Sequence, residues 1–174
     1  VADYKPADLT LPYKSTDVLI KRRLIKVTGG GIPDTAREDA MAAAKGIHYN
    51  RSFAARIIQS DDVLKGYYSK LKNYLLAHKD VTAADSWKRE SFRRGRNTLA
   101  AFVIRGKTLC LCLAADPAAF IGTKYKVEDL SKRGKNGNTP LLYRVKGDRR
   151  VTYAMQLIDR VFAEHGVEKA AAEP

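Results

Sequence analysis

Residues 104–116 read IRGKTLCLCLAAD. The fold turns on whether this is a phosphate-binding loop with a thiol pair, or a tight turn leading into a buried strand. A phosphate-binding loop needs a glycine five residues before the Gly-Lys pair and a helix straight after it. Position 101 is Ala, and Lys107 runs straight into TLCLCL, an apolar run with the signature of a strand. Gly106 therefore marks a hairpin turn, where glycine tolerates positive φ. Leu109, Leu111 and Leu113 then fall on one face of the strand, with Cys110, Cys112 and Ala114 on the other. Apolar residues on both faces mark a central strand that is covered on both sides. Along an extended strand the two cysteines lie about 6.6–7 Å apart, on the wrong axis for a relaxed disulfide. They read as small buried hydrophobes and favour a reducing, cytoplasmic setting.

Outward from this strand the period stays at two from Asp85. Five strands are expected, over 85–93, 97–105, 108–115, 123–130 and 140–146. The separators RRGRN, RGK, DPAAFIG and SKRGKNGNTP all carry turn chemistry. Upstream, SFAARIIQ gives one or two helical turns, and a stronger helix starts at Ser60 and runs to about Lys79. Asp61 and Asp62 fall in its first turn, where the helix dipole favours them. Leu64, Tyr67, Tyr68, Leu71, Tyr74, Leu75 and His78 make its apolar stripe. Downstream, Asp148 is expected to cap a final helix with Val151, Ala154, Met155, Ile158, Val161, Phe162 and His165 on one side, closed by Gly166.

The expected fold class is α+β. A five-stranded, mainly antiparallel sheet is flanked on one face by an N-terminal and a C-terminal helix, an α-β5-α two-layer arrangement, with a short N-terminal segment added. Two helices cover only one face of such a sheet, leaving the other for residues 1–27 or a second chain. Residues 1–27 form a small segment, with a two-turn helix capped by Ser15 or Thr16 and a short strand of Ile25, Lys26 and Val27. Residues 28–46 form a glycine-rich linker, in which Asp34 caps an Ala-rich helix ending near Gly46. The main domain spans 47–166, and 167–174 is expected to be a disordered tail. The chain opens without Met, as an excerpt of a longer protein would, and its start lacks the pattern of a signal peptide. No apolar run approaches the ~18 residues of a membrane span, so no membrane partner is expected.

The formal charge is +13 and the pI about 9.8, which favours anionic partners. Residues 86–150 hold 16 basic and 5 acidic side chains, against 14 and 10 in residues 1–85 and 2 and 4 in 151–174. Nearly the whole excess is in one stretch. Zinc would need about four soft or imidazole ligands, and the two cysteines and three histidines show neither Cys-x-x-Cys nor His-x3-His spacing. There is no Gly-x-Ser-x-Gly, and the adjacent acids Asp61 and Asp62 are what a helix start requires. No enzyme, cofactor or metal is proposed by these residues.

The basic turns remain. If the strands follow one another as a meander, RGK (105–107) and SKRGKNGN (131–138) fall at one end of the sheet, and RRGRN (93–97) and KGDRR (146–150) at the other. Two cationic tips would then project side by side like wings. Arg105, Lys107, Lys132, Arg133 and Lys135, with Arg93, Arg94 and Arg96, are the expected nucleic-acid-binding residues, through phosphate contact. No RNA-stacking aromatic signature accompanies these turns, so backbone contact rather than base reading is expected. The alternative is a protein-interaction or structural module of a longer protein, with self-association on the open sheet face and no nucleic-acid role.

The element order, with GKTLCLCLAADP in mid-sheet and TPLLYRVKGDRRVTYAMQLIDRVF leading into the last helix, is similar to a bacterial domain group of unassigned function. More distantly, over roughly 47–166, it resembles the double-wing (MmcQ/YjbR-like) DNA-binding family, whose layout is shared with frataxin. The resemblance implies a two-layer α/β fold and DNA binding through two hairpins, matched here by Arg105-Gly106-Lys107 and Lys132-Arg133-Gly134-Lys135. The frataxin side implies iron on an acidic helix and strand edge. Only Asp61 and Asp62 match that, and the strand sequence SWKRESFRR departs from it.

Overall fold

Two of the helices are set by side-chain caps. Ser52 accepts a hydrogen bond from Ala55 N (3.1 Å) and starts α1 (Phe53–Ile58). Asp61, rather than Ser60, caps α2 (Asp62–Leu76), accepting from Leu64 N at 2.8 Å. The computed structural model describes residues 19–20, 22–28, 48–134 and 137–170. Of the expected two-turn helix capped by Ser15 or Thr16, Leu19 and Ile20 are described as helical and the residues before them lie outside the described residues, as do the expected helix of 34–46 and Lys135. The short strand does form: β1 (Ile25–Thr28) pairs antiparallel with β2 (His48–Arg51).

Six strands come next, not five: β3 (Val81–Asp85), β4 (Glu90–Arg94), β5 (Asn97–Arg105), β6 (Thr108–Leu113), β7 (Val127–Asp129) and β8 (Leu141–Val145). The strand expected over 85–93 is a hairpin of β3 and β4. Ser86 turns the chain, its N–H and its hydroxyl both donating to Arg89 O (2.9 and 2.7 Å). That turn uses neither glycine nor proline. The strand expected over 123–130 shrinks to three residues. All pairings are antiparallel, in the order β3-β4-β5-β6-β8-β7. The α+β class with an antiparallel sheet holds, and its strand count and connectivity are corrected.

The final helix, α3 (Asp148–Glu164), has Gly147 at its cap and no side-chain capping bond, so Asp148 is its first residue and not its cap. Gly166 comes just after it with φ 66°, the left-handed stop expected of it. The tail does not come loose at 167. Val167 is buried, Lys169 bridges to His78, and Ala170 N donates to Ala77 O at 2.8 Å.

Helices α2 and α3 pack together on the face bearing Phe92, Phe102, Leu109, Leu111, Leu113 and Tyr143, all buried. Edge-to-face ring pairs, Tyr68 with Phe102 (5.6 Å) and Phe92 with Phe102 (5.3 Å), fill the layer. Charged groups are buried beside it too, Lys65 and Glu90 among them. Glu90 is buried and accepts from Tyr68 OH and Lys72 Nζ, each at 2.5 Å. The opposite face carries Ala101, Cys110, Cys112, Leu130 and Leu142. Both thiols are free and buried, and burial pushes Cys112 up to about 12.

Register decides which turns share an end. Strand β6 runs from Thr108, opposite Arg105, to Leu113. Strand β8 returns from Leu141, opposite Leu113, to Val145, opposite Leu109. Strand β7 lies outside β8, so Asp129 ends beside Leu141. The meander is therefore broken, because 114–126 crosses back along the sheet before β7 begins. RGK shares its end with KGDRR, and SKRGKNGN shares the other with RRGRN. The expected side-by-side wings, RGK with SKRGKNGN, do not form.

Candidate nucleic-acid interface

At the end of the sheet that bears the β5–β6 turn, Gly106 adopts φ 60° and lets the chain reverse between Arg105 and Lys107. Residues distant in sequence are fastened beside it. Arg56 Nη1 donates to Ile104 O (2.8 Å), tying α1 to the end of β5. Phe53 N donates to Trp87 O (2.8 Å), and the Trp87 indole N–H donates to Asn50 Oδ1 (3.3 Å), tying β2 and α1 to the β3–β4 turn. Arg51 Nε donates to Gln59 Oε1 at 2.6 Å, which fixes the direction of its guanidinium.

Three adjoining clefts result. The central one, about 380 Å³, lies between α1, the start of α2 and the β5–β6 turn. It shares Arg51, Arg56 and Ile104 with a neighbour of about 310 Å³ that reaches Trp87. On the other side it shares Asp61, Leu64 and Lys107 with one of about 190 Å³ that reaches Tyr67 and Lys146. Among the described residues six cations line the three: Arg51, Arg56, Lys88, Arg105, Lys107 and Lys146. Asp61 is the one carboxylate among the described residues lining them, and it is engaged at the helix cap. Among the described residues no ion pair engages Arg56, Lys88, Lys107 or Lys146. Arg105 differs, with Nη1 3.7 Å from Glu128. Arg144 also holds Glu128, and its hydrogen bonds keep that carboxyl below the ordinary carboxylate range against the opposing effect of partial burial.

Of the residues expected from sequence, only Arg105 and Lys107 lie in these clefts. Arg93, Arg94, Arg96, Lys132 and Arg133 are exposed at the opposite end. Arg94 has a structural task there, donating to Gly166 O (2.9 Å) at the C-terminus of α3. His165 closes the same corner, its Nε2 lying 2.7 Å from Ala114 O. Sequence reasoning missed Arg51, Arg56, Lys88 and Lys146 as one group with Trp87. The charge run alone held no signal that α1 docks at the end of β5.

Among the described residues no three His, Cys, Asp or Glu side chains stand close enough to hold a metal ion. Within the same residues no helix is long and apolar enough to cross a membrane. No family model, curated protein or solved structure matches the chain.

Proposed function

We propose that this chain is a non-enzymatic domain that binds nucleic acid through the phosphate backbone, at the end of the sheet formed by the β5–β6 turn, α1 and Lys146. The observation that carries the reading is that, among the described residues, six cations and one carboxylate line three adjoining clefts. Arg56, Lys88, Lys107 and Lys146, which no ion pair among the described residues engages, displace condensed counterions when they meet phosphates. Gly106, without a side chain at the turn, lets a backbone come close. Arg93, Arg96, Lys132 and Arg133 add to the field from farther off. The two free, buried thiols suit a reducing cytoplasm.

The test is a titration of labelled duplex DNA at about 50 and about 200 mM salt, where non-specific dissociation constants of about 10⁻⁴–10⁻⁶ M set the scale. Changing Arg56, Lys107 and Lys146 together to Ser should flatten the log–log salt slope by about two to three units, roughly 0.9 for each phosphate no longer neutralised. If neither duplex nor single strand binds at the lower salt, the proposal falls, and a protein-interaction module takes its place.

A further inference from the structure

We infer that the three clefts form one groove for single-stranded nucleic acid, with a base stacked on Trp87 and the phosphates following the cations toward Lys146. This rests on the nucleic-acid reading above and adds the class of substrate. The clefts adjoin, each sharing residues with the next, so one extended strand can pass along all three. A duplex presents phosphates on a convex surface and keeps its bases stacked inside. Three concave notches of about 190 to 380 Å³ suit it poorly.

An unpaired base suits the notch at Trp87, where Val103, Ile104, Cys112 and Leu130 line one part and Arg51, Arg56, Lys88 and Arg105 another. Cationic grooves with aromatic platforms are how sequence-tolerant single-strand binders work. The platform is held in place. The Trp87 indole N–H is anchored on Asn50, and Lys26 Nζ stands over one face of the ring, 4.8 Å from its centroid, so the base stacks on the side of the ring that lines the notch. Arg51 and Arg56 come directly along the groove, then Lys107, and the half-buried ring of Tyr67 stands at the far end beside Lys146.

Trp87 is the single tryptophan of the chain, so its fluorescence reports on the notch alone. The probes are an oligothymidylate and the duplex it forms with its complement, both at about 50 mM salt. The single strand should quench Trp87 and bind roughly tenfold tighter than the duplex. Trp87→Ala should weaken single-strand binding roughly tenfold without changing the salt slope, and Trp87→Phe should restore most of the loss. If the alanine variant fails to fold, quenching of the unaltered protein decides the matter. Duplex binding as tight as single-strand binding, with no quenching by either, overturns the single-strand inference and leaves phosphate binding standing. Absence of binding to both overturns the two together.

Discussion

The two ends of the sheet are both rich in arginine and lysine, yet they use them differently. At the β5–β6 end, α1 and the β3–β4 turn are tied down so that cations converge on concave surface. At the other end the turns at Gly95 and around Lys132 project into solvent, and Arg94 is taken up by the Gly166 carbonyl just past α3. Charge density alone would rank the RRGRN turn first. What separates the ends is whether the neighbouring elements gather the charges or leave them apart, and that depends on strand order.

The largest expected effect is one both ends share. Leu111→Ala empties a fully buried position in the central strand and should cost about 2–5 kcal/mol in denaturant unfolding. Hydrogen exchange should find Leu109–Leu113 among the slowest segments, and fast exchange there would refute the fold. Next is Glu90→Ala, which removes the buried carboxylate that Lys72 and the Tyr68 hydroxyl share and should cost roughly 3 kcal/mol.

The comparison itself is sharpened by Arg94→Ala and Lys107→Ser. The first should lower stability by about 1 kcal/mol and leave the salt slope of binding unchanged. The second should change stability by less than about 0.5 kcal/mol and flatten the slope by roughly 0.9. The reverse pattern in those two variants would exchange the roles assigned to the two ends. Changing Arg96, Lys132 and Arg133 together to Ser should flatten the slope by less than about one unit.

The smallest effect concerns Glu128, which engages Arg105 and Arg144. Its folded pKa is depressed, so the pair's contribution to stability is present above the unfolded pKa and is lost as pH falls through the folded one. Acidification through that range frees Arg105. Binding should therefore strengthen slightly below the ordinary carboxylate range, as it should in Glu128→Gln at neutral pH. Weaker binding in Glu128→Gln would place Arg105 outside the interface.

The parts of this fold written in local periodicity were legible. The stripe of α2, the Gly106 turn and the two-faced strand of Leu109–Leu113 all arise from residues within one turn or one pleat of each other. The Ser86 turn was not, since a serine hydroxyl bonding Arg89 O leaves no glycine or proline mark. Strand order was not legible either. Nothing in 114–126 says that the chain recrosses the sheet, and that crossing put the two basic tips at opposite ends. The candidate site was legible only at Arg105 and Lys107. Arg56 joins them through a bond to Ile104 O, a contact of tertiary origin that no spacing rule contains.

The place of β8 between β6 and β7 also has a kinetic meaning. The β5–β6 hairpin closes across Gly106 with almost no loop entropy, whereas β6 and β8 can pair only once everything between Leu113 and Leu141 has been looped out. Folding should begin at the hairpin and finish with the docking of β8. Mutations at Leu109 or Leu111 should then slow refolding, and those at Leu142 should mainly speed unfolding, the opposite assignment being the result that would refute this order. Lys107 is therefore set early, while Lys146, at the end of the last strand to dock, is set late.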